Sequence, residues 1–240
     1  MTLHLSNDRP DTMERTEPVV RPGEIVAWMG LDFETNEHVL VPRQETQLLG
    51  RTALDLLKTL EAAPIRVIDM CCGAGNLACA LAHARPDIRV WGSDLTDACV
   101  ALARKNVARH GLEARVDVRQ GDLFSSLAED ELAGSVDLIV CNPPYISTGK
   151  LDTERAHLLD GQPREAFDAG PYGLAIHQRV IADAPRYLKP GAWLIMEIGL
   201  GQQRQIAHLF SRVKRYEKEQ SWADENGALR VMGARISSAS

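Results

Sequence analysis

No stretch of this 240-residue chain approaches the roughly 18 consecutive apolar residues that span a bilayer. Its opening, MTLHLSNDRPDTMERTEPVVRPG, also lacks the apolar core of a signal peptide. Both absences predict a cytoplasmic protein with no membrane partner. Basic residues are not in excess: 27 Lys and Arg stand against 33 Asp and Glu, a formal net charge of −6, and they are scattered among acidic neighbours. A protein that grips duplex nucleic acid by its backbone needs a basic stripe to neutralise phosphates, so duplex DNA is not an expected partner. The five cysteines (Cys71, Cys72, Cys79, Cys99 and Cys141) are odd in number and form no CxxC pair. They read as small buried residues in a reducing compartment, not as disulfides or zinc ligands. The seven histidines show no HExxH or HxxxH spacing, so no metal site is expected. Ser6, Ser93 and Ser135 stand in no nucleophile-elbow context, which sets hydrolase chemistry aside. Internal repeats and low-complexity tracts are absent as well.

What is present suits one ordinary domain: 45% hydrophobic and 25% charged residues supply ample core. Residues 1–23, polar and carrying Pro10, Pro18 and Pro22, read as a mobile arm. Residues 24–62 read as a cap segment, with a short strand at His38–Val41 and a helix over Gln44–Leu60 set by Leu48, Leu49, Ala53, Leu56, Leu57 and Leu60. From residue 63 to 240 strands and helices alternate. Strands are predicted at Ile65–Met70, Ile88–Ser93, Arg115–Gln120, Val136–Cys141 and Trp193–Ile198, with terminal strands at Val213–Glu219 and Ala228–Ala234. Helices are predicted at Asn76–Ala84, Thr96–His110, Leu174–Leu188 and Gln202–Phe210. That alternation predicts an α/β fold of the doubly wound, Rossmann-like kind, with helices on both faces of a mostly parallel sheet.

The segment VIDMCCGAGNLACALA places Gly73 and Gly75 between a buried strand and a helix. Glycines are needed where the main chain turns tightly and a ligand lies against it. Alone, this GxG serves a nicotinamide enzyme, a flavin enzyme or a methyltransferase equally, and Ala78 at the third position is tolerated by the dinucleotide fingerprint. The strand ends discriminate better. Asp69, Asp94, Asp122 and Asn142 close four successive strands, at the edge where open α/β sheets bind ligands. Asp94 is suited to the ribose hydroxyls and Asp122 to an adenine amino group, with the neighbouring Leu95 and Leu123 against the same nucleoside. An acidic mouth suits S-adenosyl-L-methionine, which carries a sulfonium and an ammonium but no phosphate.

The run Asn142-Pro143-Pro144-Tyr145 after VDLIVC is the most specific motif. A planar amide or aromatic amine is a poor nucleophile because its lone pair is delocalised. Acceptors that bind its hydrogens aim that lone pair at a methyl group and favour the charge developing on nitrogen. Asn142 can offer a side-chain oxygen and Pro143 a main-chain carbonyl, both pre-positioned by the prolines. Tyr145 offers a flat face for stacking. Arg43 is placed to meet either the cofactor carboxylate or the substrate, Glu197 to position loops, and Trp28 and Phe33 either to cover the pocket or to pack in the core.

VLVPRQETQLL, DMCCGAGNLA, GDLF, NPPYI, QPREAFDAGPYGL, MEIGLGQ and ADENGALRVMGAR occur in this order from Val39 onward. Together they resemble the HemK/PrmC-like methyltransferases, which methylate the side-chain amide of glutamine in peptide release factors. The resemblance implies a seven-stranded sheet with its last strand antiparallel. It implies cofactor contacts from Asp69, Gly73, Gly75, Asp94, Asp122 and Asn142, and amide binding by Asn142 and Pro143. The product would be S-adenosyl-L-homocysteine. Where members of that family carry a helical N-terminal domain, a short polar arm precedes the matching region here. The family's PRPDTE reads Pro42-Arg43-Gln44-Glu45-Thr46-Gln47, and its glutamate-proline and double-glycine pieces read Gln162-Pro163 and Ala169-Gly170-Pro171-Tyr172-Gly173. These departures fall in the substrate half. They predict an N-methyltransferase whose acceptor is a protein glutamine or a small molecule bearing an amide, amidine or amine. A nucleic-acid adenine ranks behind these, and the rival readings are a nicotinamide oxidoreductase and a non-catalytic binding protein of the same fold.

Overall fold

The computed structural model describes residues 23–60, 63–127, 132–146, 149 and 173–238. It opens on a two-stranded hairpin, β1 (Ile25–Trp28) and β2 (Leu31–Glu34), followed by α1 (Gln47–Leu57). The main body then runs β3 (Ile65–Met70), α2 (Asn76–Ala84), β4 (Ile88–Asp94), α3 (Asp97–Arg109), β5 (Val116–Gln120) and β6 (Val136–Cys141). After the intervening segment come α4 (Ala175–Asp183), β7 (Leu188–Glu197), α5 (Gln203–Arg212), β8 (Gln220–Ala223) and β9 (Leu229–Arg235).

Seven strands form one sheet in the order β5-β4-β3-β6-β7-β9-β8. The first five are mutually parallel; β9 runs antiparallel to β7, and β8 pairs antiparallel with β9 at the edge. From β3 the chain winds outward through β4 and β5, then returns to lay β6 on the other side of β3. The order therefore reverses between β3 and β6, the switch point at which such sheets hold ligands beyond their carboxyl ends.

Alternation along the central strands sorts the core into two layers. Val67, Leu138, Val140 and Ile195 face α1, α2 and α3, packing on Leu49, Ala53, Leu57, Leu81 and Val107. Their neighbours Ile68, Met70, Ile139, Leu194 and Met196 face α4 and α5, against Val180, Ile181, Ile206 and Phe210. Strands buried on both faces read as unbroken apolar runs, which is why VIDM and VDLIVC stand out in the sequence.

The predicted strand at His38–Val41 does not form; Val39 and its neighbours are irregular chain leading to Pro42. The strands of this region are β1 and β2, joined at Met29-Gly30, whose φ angles of 46° and 80° are both left-handed. A two-residue hairpin turn requires that geometry, and a methionine before the glycine disguises it. Trp28, Leu31 and Phe33 are buried in the core, so Trp28 and Phe33 pack there and do not cover the pocket. Helix α1 begins at Gln47, after a turn at Gln44–Thr46. The predicted helix to Leu188 stops near Pro185, which passes through a short 3-10 turn, and β7 already begins at Leu188. Val213–Glu219 is not a strand: Tyr216 makes one isolated bridge with Ile236, and the edge strand is Gln220–Ala223. Trp222 holds that edge by meeting Trp193 edge-on at 6.1 Å between ring centroids. The N-terminal arm and the segment from Gln162 to Tyr172 lie outside the described residues.

No described helix is long and apolar enough to cross a membrane, and no described group of His, Cys, Asp and Glu could hold a metal ion. At Gly233 of β9 an added Cβ would run into the Leu194 carbonyl oxygen of β7 and fall 2.6 Å from Ile195 Cγ2. A backbone oxygen cannot step aside. Gly233→Ala is expected to destabilise the fold by about 1–3 kcal/mol, read as a lower urea midpoint at unchanged slope. An unchanged midpoint would mean that this sheet contact is loose.

Candidate active site

A cavity of about 390 Å³ opens at the carboxyl edge around the switch point, within the size range of small-molecule sites. Its walls come from the turn after β3, the ends of β4 and β5, and Asn142 and Pro144 after β6. The irregular stretch from His38 through Thr46 lies across it. Trp28 anchors this cover by donating its indole Nε1–H to the Arg43 carbonyl at 2.7 Å.

The turn after β3 is shaped by two glycines with left-handed φ. Gly73 has φ +53°, and a Cβ there would enter empty space on the cavity side. Gly75 has φ +75° and caps α2, and its missing Cβ lets Ala103 of α3 come within about 3.1 Å of that position. Cys71 and Leu123 adopt left-handed φ angles of 59° and 54° without being glycine. Both border the cavity, and such strain gathers where a site must be shaped. Asn106, fully buried, donates to the Ala74 and Glu34 carbonyls at 3.0 and 3.2 Å and accepts from Glu34 N–H at 2.8 Å. It thereby ties the hairpin to the glycine turn, and nothing in its sequence context marks that role.

The proposed contact residues divide into two groups. Arg43, Gly73, Asp94, Leu95, Asp122, Leu123 and Asn142 line the cavity; Asp69, Gly75, Pro143 and Tyr145 stand behind the lining. Asp94 Oδ2 accepts Gly73 N–H at 2.8 Å, which leaves lone pairs for a ligand. Asp122 meets Arg179 of α4 at 2.8 Å, both side chains about half exposed. Leu95 is 59% exposed, an apolar flap at the mouth.

Asp69 is wholly buried; its Oδ2 accepts Ala78 N–H at 3.0 Å, while Oδ1 makes no hydrogen bond among the described residues. Burial pushes its pKa up to about 7, the Ala78 N–H pulls it back, and the Asp94 charge adds to the rise. All five cysteines are free; Cys72, Cys79 and Cys141 are buried, Cys71 and Cys99 only half-buried, and burial pushes Cys79 up to about 12.

Tyr145 is not laid open as a stacking platform. Its hydroxyl donates to Glu197 Oε1 at 3.2 Å and accepts from Arg230 Nη2 at 3.2 Å, with that guanidinium 5.7 Å from the ring centroid. Burial pushes the phenol up to about 12. Its main-chain carbonyl accepts from Gln202 Nε2 at 2.9 Å; the same amide also reaches the Gly173 carbonyl at 3.2 Å and accepts Gly199 N–H at 2.8 Å. Gln202 thus clamps three loops. His177, fully buried, has its pKa lowered to about 4 by burial, and its Nε2 pairs with the Glu197 carbonyl at 2.9 Å. Sequence reasoning missed Gln202, Arg230 and Thr46, although all three fall within the resembling segments.

The family described as "Methyltransferase small domain" matches residues 49–223. The release factor glutamine methyltransferase of Geobacter sulfurreducens is 38% identical over 207 residues, covering 86% of this chain and 69% of that protein. The chain is a methyltransferase of the HemK/PrmC-like family. The 4-amino-L-phenylalanine/4-methylamino-L-phenylalanine methyltransferase of Streptomyces pristinaespiralis is 36% identical over 209 residues, covering 85% of this chain and 69% of that one. A methyltransferase structure from Pyrococcus furiosus superposes with a TM-score of 0.58 at 15% identity, covering 87% and 90% of the two chains, and shows the shared fold. The methyl donor of this methyltransferase is S-adenosyl-L-methionine. The residues fit it: the glycine turn leaves open backbone at Gly73, and the Asp94 and Asp122 carboxylates line a cavity that would take a cationic ligand.

Two predictions follow from the site. Asp94→Ala is expected to weaken donor binding roughly tenfold to a hundredfold, as loss of charge-assisted hydrogen bonds of about 1.5–3 kcal/mol implies; calorimetry with S-adenosylhomocysteine tests it, and an unaltered dissociation constant would place the ribose elsewhere. Asp69 has a folded pKa of about 7 against 3.8 for the free group. Its proton therefore stabilises the donor-free fold below about pH 4, and that contribution is lost as pH rises through about 7. Asp69→Asn keeps an acceptor for Ala78 and does not ionise, so its unfolding free energy should gain on the wild type between pH 4 and 8. A flat difference across that range would contradict the assignment.

Proposed function

We infer that this methyltransferase transfers a methyl group to a planar N–H nitrogen, a protein glutamine amide or a small aromatic amine. The observation that carries this reading is the state of Asn142. Its Nδ2 donates to Thr46 Oγ1 at 3.1 Å, so the opposite end of the amide, Oδ1, is the end left for the cavity that Asn142 lines. An acceptor-only oxygen at that point recognises a hydrogen-bearing nitrogen. Similarity to a glutamine methyltransferase and to an aminophenylalanine methyltransferase supports the same common feature, a nitrogen whose lone pair is delocalised into a flat group.

When bound, the donor supplies an electrophilic methyl on sulfur and leaves as S-adenosylhomocysteine. The chain's own residues do the rest. Asp94 and the Gly73 turn would hold the nucleoside end; Asn142 Oδ1 at the cavity wall would take an acceptor N–H and turn its lone pair toward the methyl, and the Pro143 carbonyl, which the family resemblance names as the second acceptor, stands behind that wall. Positive charge gathers on nitrogen as the N–C bond forms and the S–C bond breaks, fixed acceptor dipoles stabilise it without reorganising, and the nitrogen then gives up one proton to solvent. The two prolines hold these acceptors in place, which lowers the entropy cost of alignment.

Purified protein is incubated with methyl-labelled S-adenosylmethionine and either a bacterial release factor or 4-amino-L-phenylalanine. Label on the factor's glutamine identifies the protein acceptor, and label on the amino acid identifies the small-molecule one. Labelling of neither, with no donor bound at millimolar concentration, would favour a non-catalytic binding protein. With whichever acceptor takes the label, Asn142→Ala is expected to lower turnover about a hundredfold while leaving the donor dissociation constant within a fewfold. Unchanged turnover would remove Asn142 from the mechanism.

A further inference from the structure

The Asn142 side chain has two ends of nearly equal size, and only its oxygen can accept a hydrogen from the methyl acceptor. Something must choose between them. Packing cannot, since an amide turned over occupies the same space; the choice has to be made by hydrogen-bond polarity. The polar neighbour found on that side chain is Thr46, 96 residues away at the start of α1, whose Oγ1 receives Nδ2 at 3.1 Å.

A hydroxyl can donate as well as accept, so Thr46 would serve either end of the amide unless its own hydrogen were committed. Behind it stands Glu197, at the end of β7 and 2% exposed, as Thr46 is. Ionised, that carboxylate can only accept. Its Oε1 takes the Tyr145 hydroxyl at 3.2 Å, and Arg230 lies 3.6 Å from it to balance the charge. Its Oε2 is buried with no hydrogen bond of ordinary length among the described residues, and so demands a donor. The Thr46 hydroxyl acts on this carboxylate, helping to offset the rise that burial imposes on it. With the Thr46 hydrogen turned to Glu197, the Thr46 lone pairs face Asn142. Asn142 must then present its NH2 inward and its oxygen to the cavity.

We propose that Thr46, backed by Glu197, is a positioning residue that fixes which end of the Asn142 amide meets the acceptor nitrogen. This rests on the role of Asn142 inferred above.

The test begins with a readout that needs no acceptor. In the complex with S-adenosylhomocysteine, the side-chain amide resonances of Asn142 are assigned by their disappearance in Asn142→Ala. The wild type and Thr46→Ser should show a slowly exchanging NH2, whereas Thr46→Val, of equal shape but without the hydroxyl, should exchange at least tenfold faster. Turnover with the labelled acceptor should follow: Thr46→Val falls about tenfold, the equivalent of roughly one lost hydrogen bond, at unchanged donor KM, and Thr46→Ser recovers to within about threefold. Glu197→Gln, which keeps the shape but can donate, should accelerate exchange in the same way and covers the case of a poorly folding valine variant. The proposal fails if Thr46→Val keeps a protected amide or turns over within twofold of the wild type. It also fails if Thr46→Ser behaves like Thr46→Val. If Asn142→Ala itself keeps full turnover, the role of Asn142 falls as well; if Asn142→Ala is impaired and Thr46→Val is not, only the positioning role is lost.

Discussion

The parallel pairing of β3 with β6, from Val67 opposite Leu138 to Met70 opposite Cys141, is the contact on which the site depends. It joins two segments about seventy residues apart and sets their carboxyl ends level. The glycine turn and the asparagine-proline turn then open side by side on one cavity. A one-residue slip would exchange the two faces of β6, sending Ile139 and Cys141 into the layer of Leu138 and Val140, and would carry Asn142 away from the cavity. Burial of both strands on both faces makes that slip costly. The geometry of methyl transfer is thus underwritten by ordinary apolar packing.

Around this centre the polar residues act mainly on the backbone. Asp69 holds the first turn of α2, Asp94 holds Gly73, Asn106 holds the hairpin to the glycine turn, and Gln202 gathers three loops. The loops that line the cavity are thus braced in part by Asp69, Asn106 and Gln202, which stand behind its lining. The left-handed Cys71 and Leu123 are maintained in the same way, between well-packed strands and a braced turn.

Much of this was legible in the sequence. The strand spans at Ile65–Met70 and Val136–Cys141, and the helix at Asn76–Ala84, agree residue for residue because continuous β-branched runs and a glycine turn leave little choice. The edge of the cavity was legible too, since Gly73, Asp94, Asp122 and Asn142 are local punctuation at strand ends and all line it. Three features were not. The hairpin hides behind Met29-Gly30, which carries no asparagine or aspartate to announce two left-handed residues. The edge strand is chosen by Trp222 meeting Trp193, a tertiary contact with no periodic signature. Tyr145 reads as an open aromatic beside the prolines, and only the fold reveals that Glu197 and Arg230, from two other strands, take its hydroxyl.

The cover over the cavity has a practical consequence for dissecting the enzyme. The family's shared domain begins at residue 49, yet the stretch that lies across the cavity, the indole that anchors it and the partner of the Asn142 amide all precede that boundary. A fragment cut at the family's own border would keep the sheet and the glycine turn but would leave Asn142 with its inner end unclaimed and the cavity unroofed. The structural unit around the cavity is therefore larger than the matched family domain, and it reaches back to the hairpin that begins at Ile25.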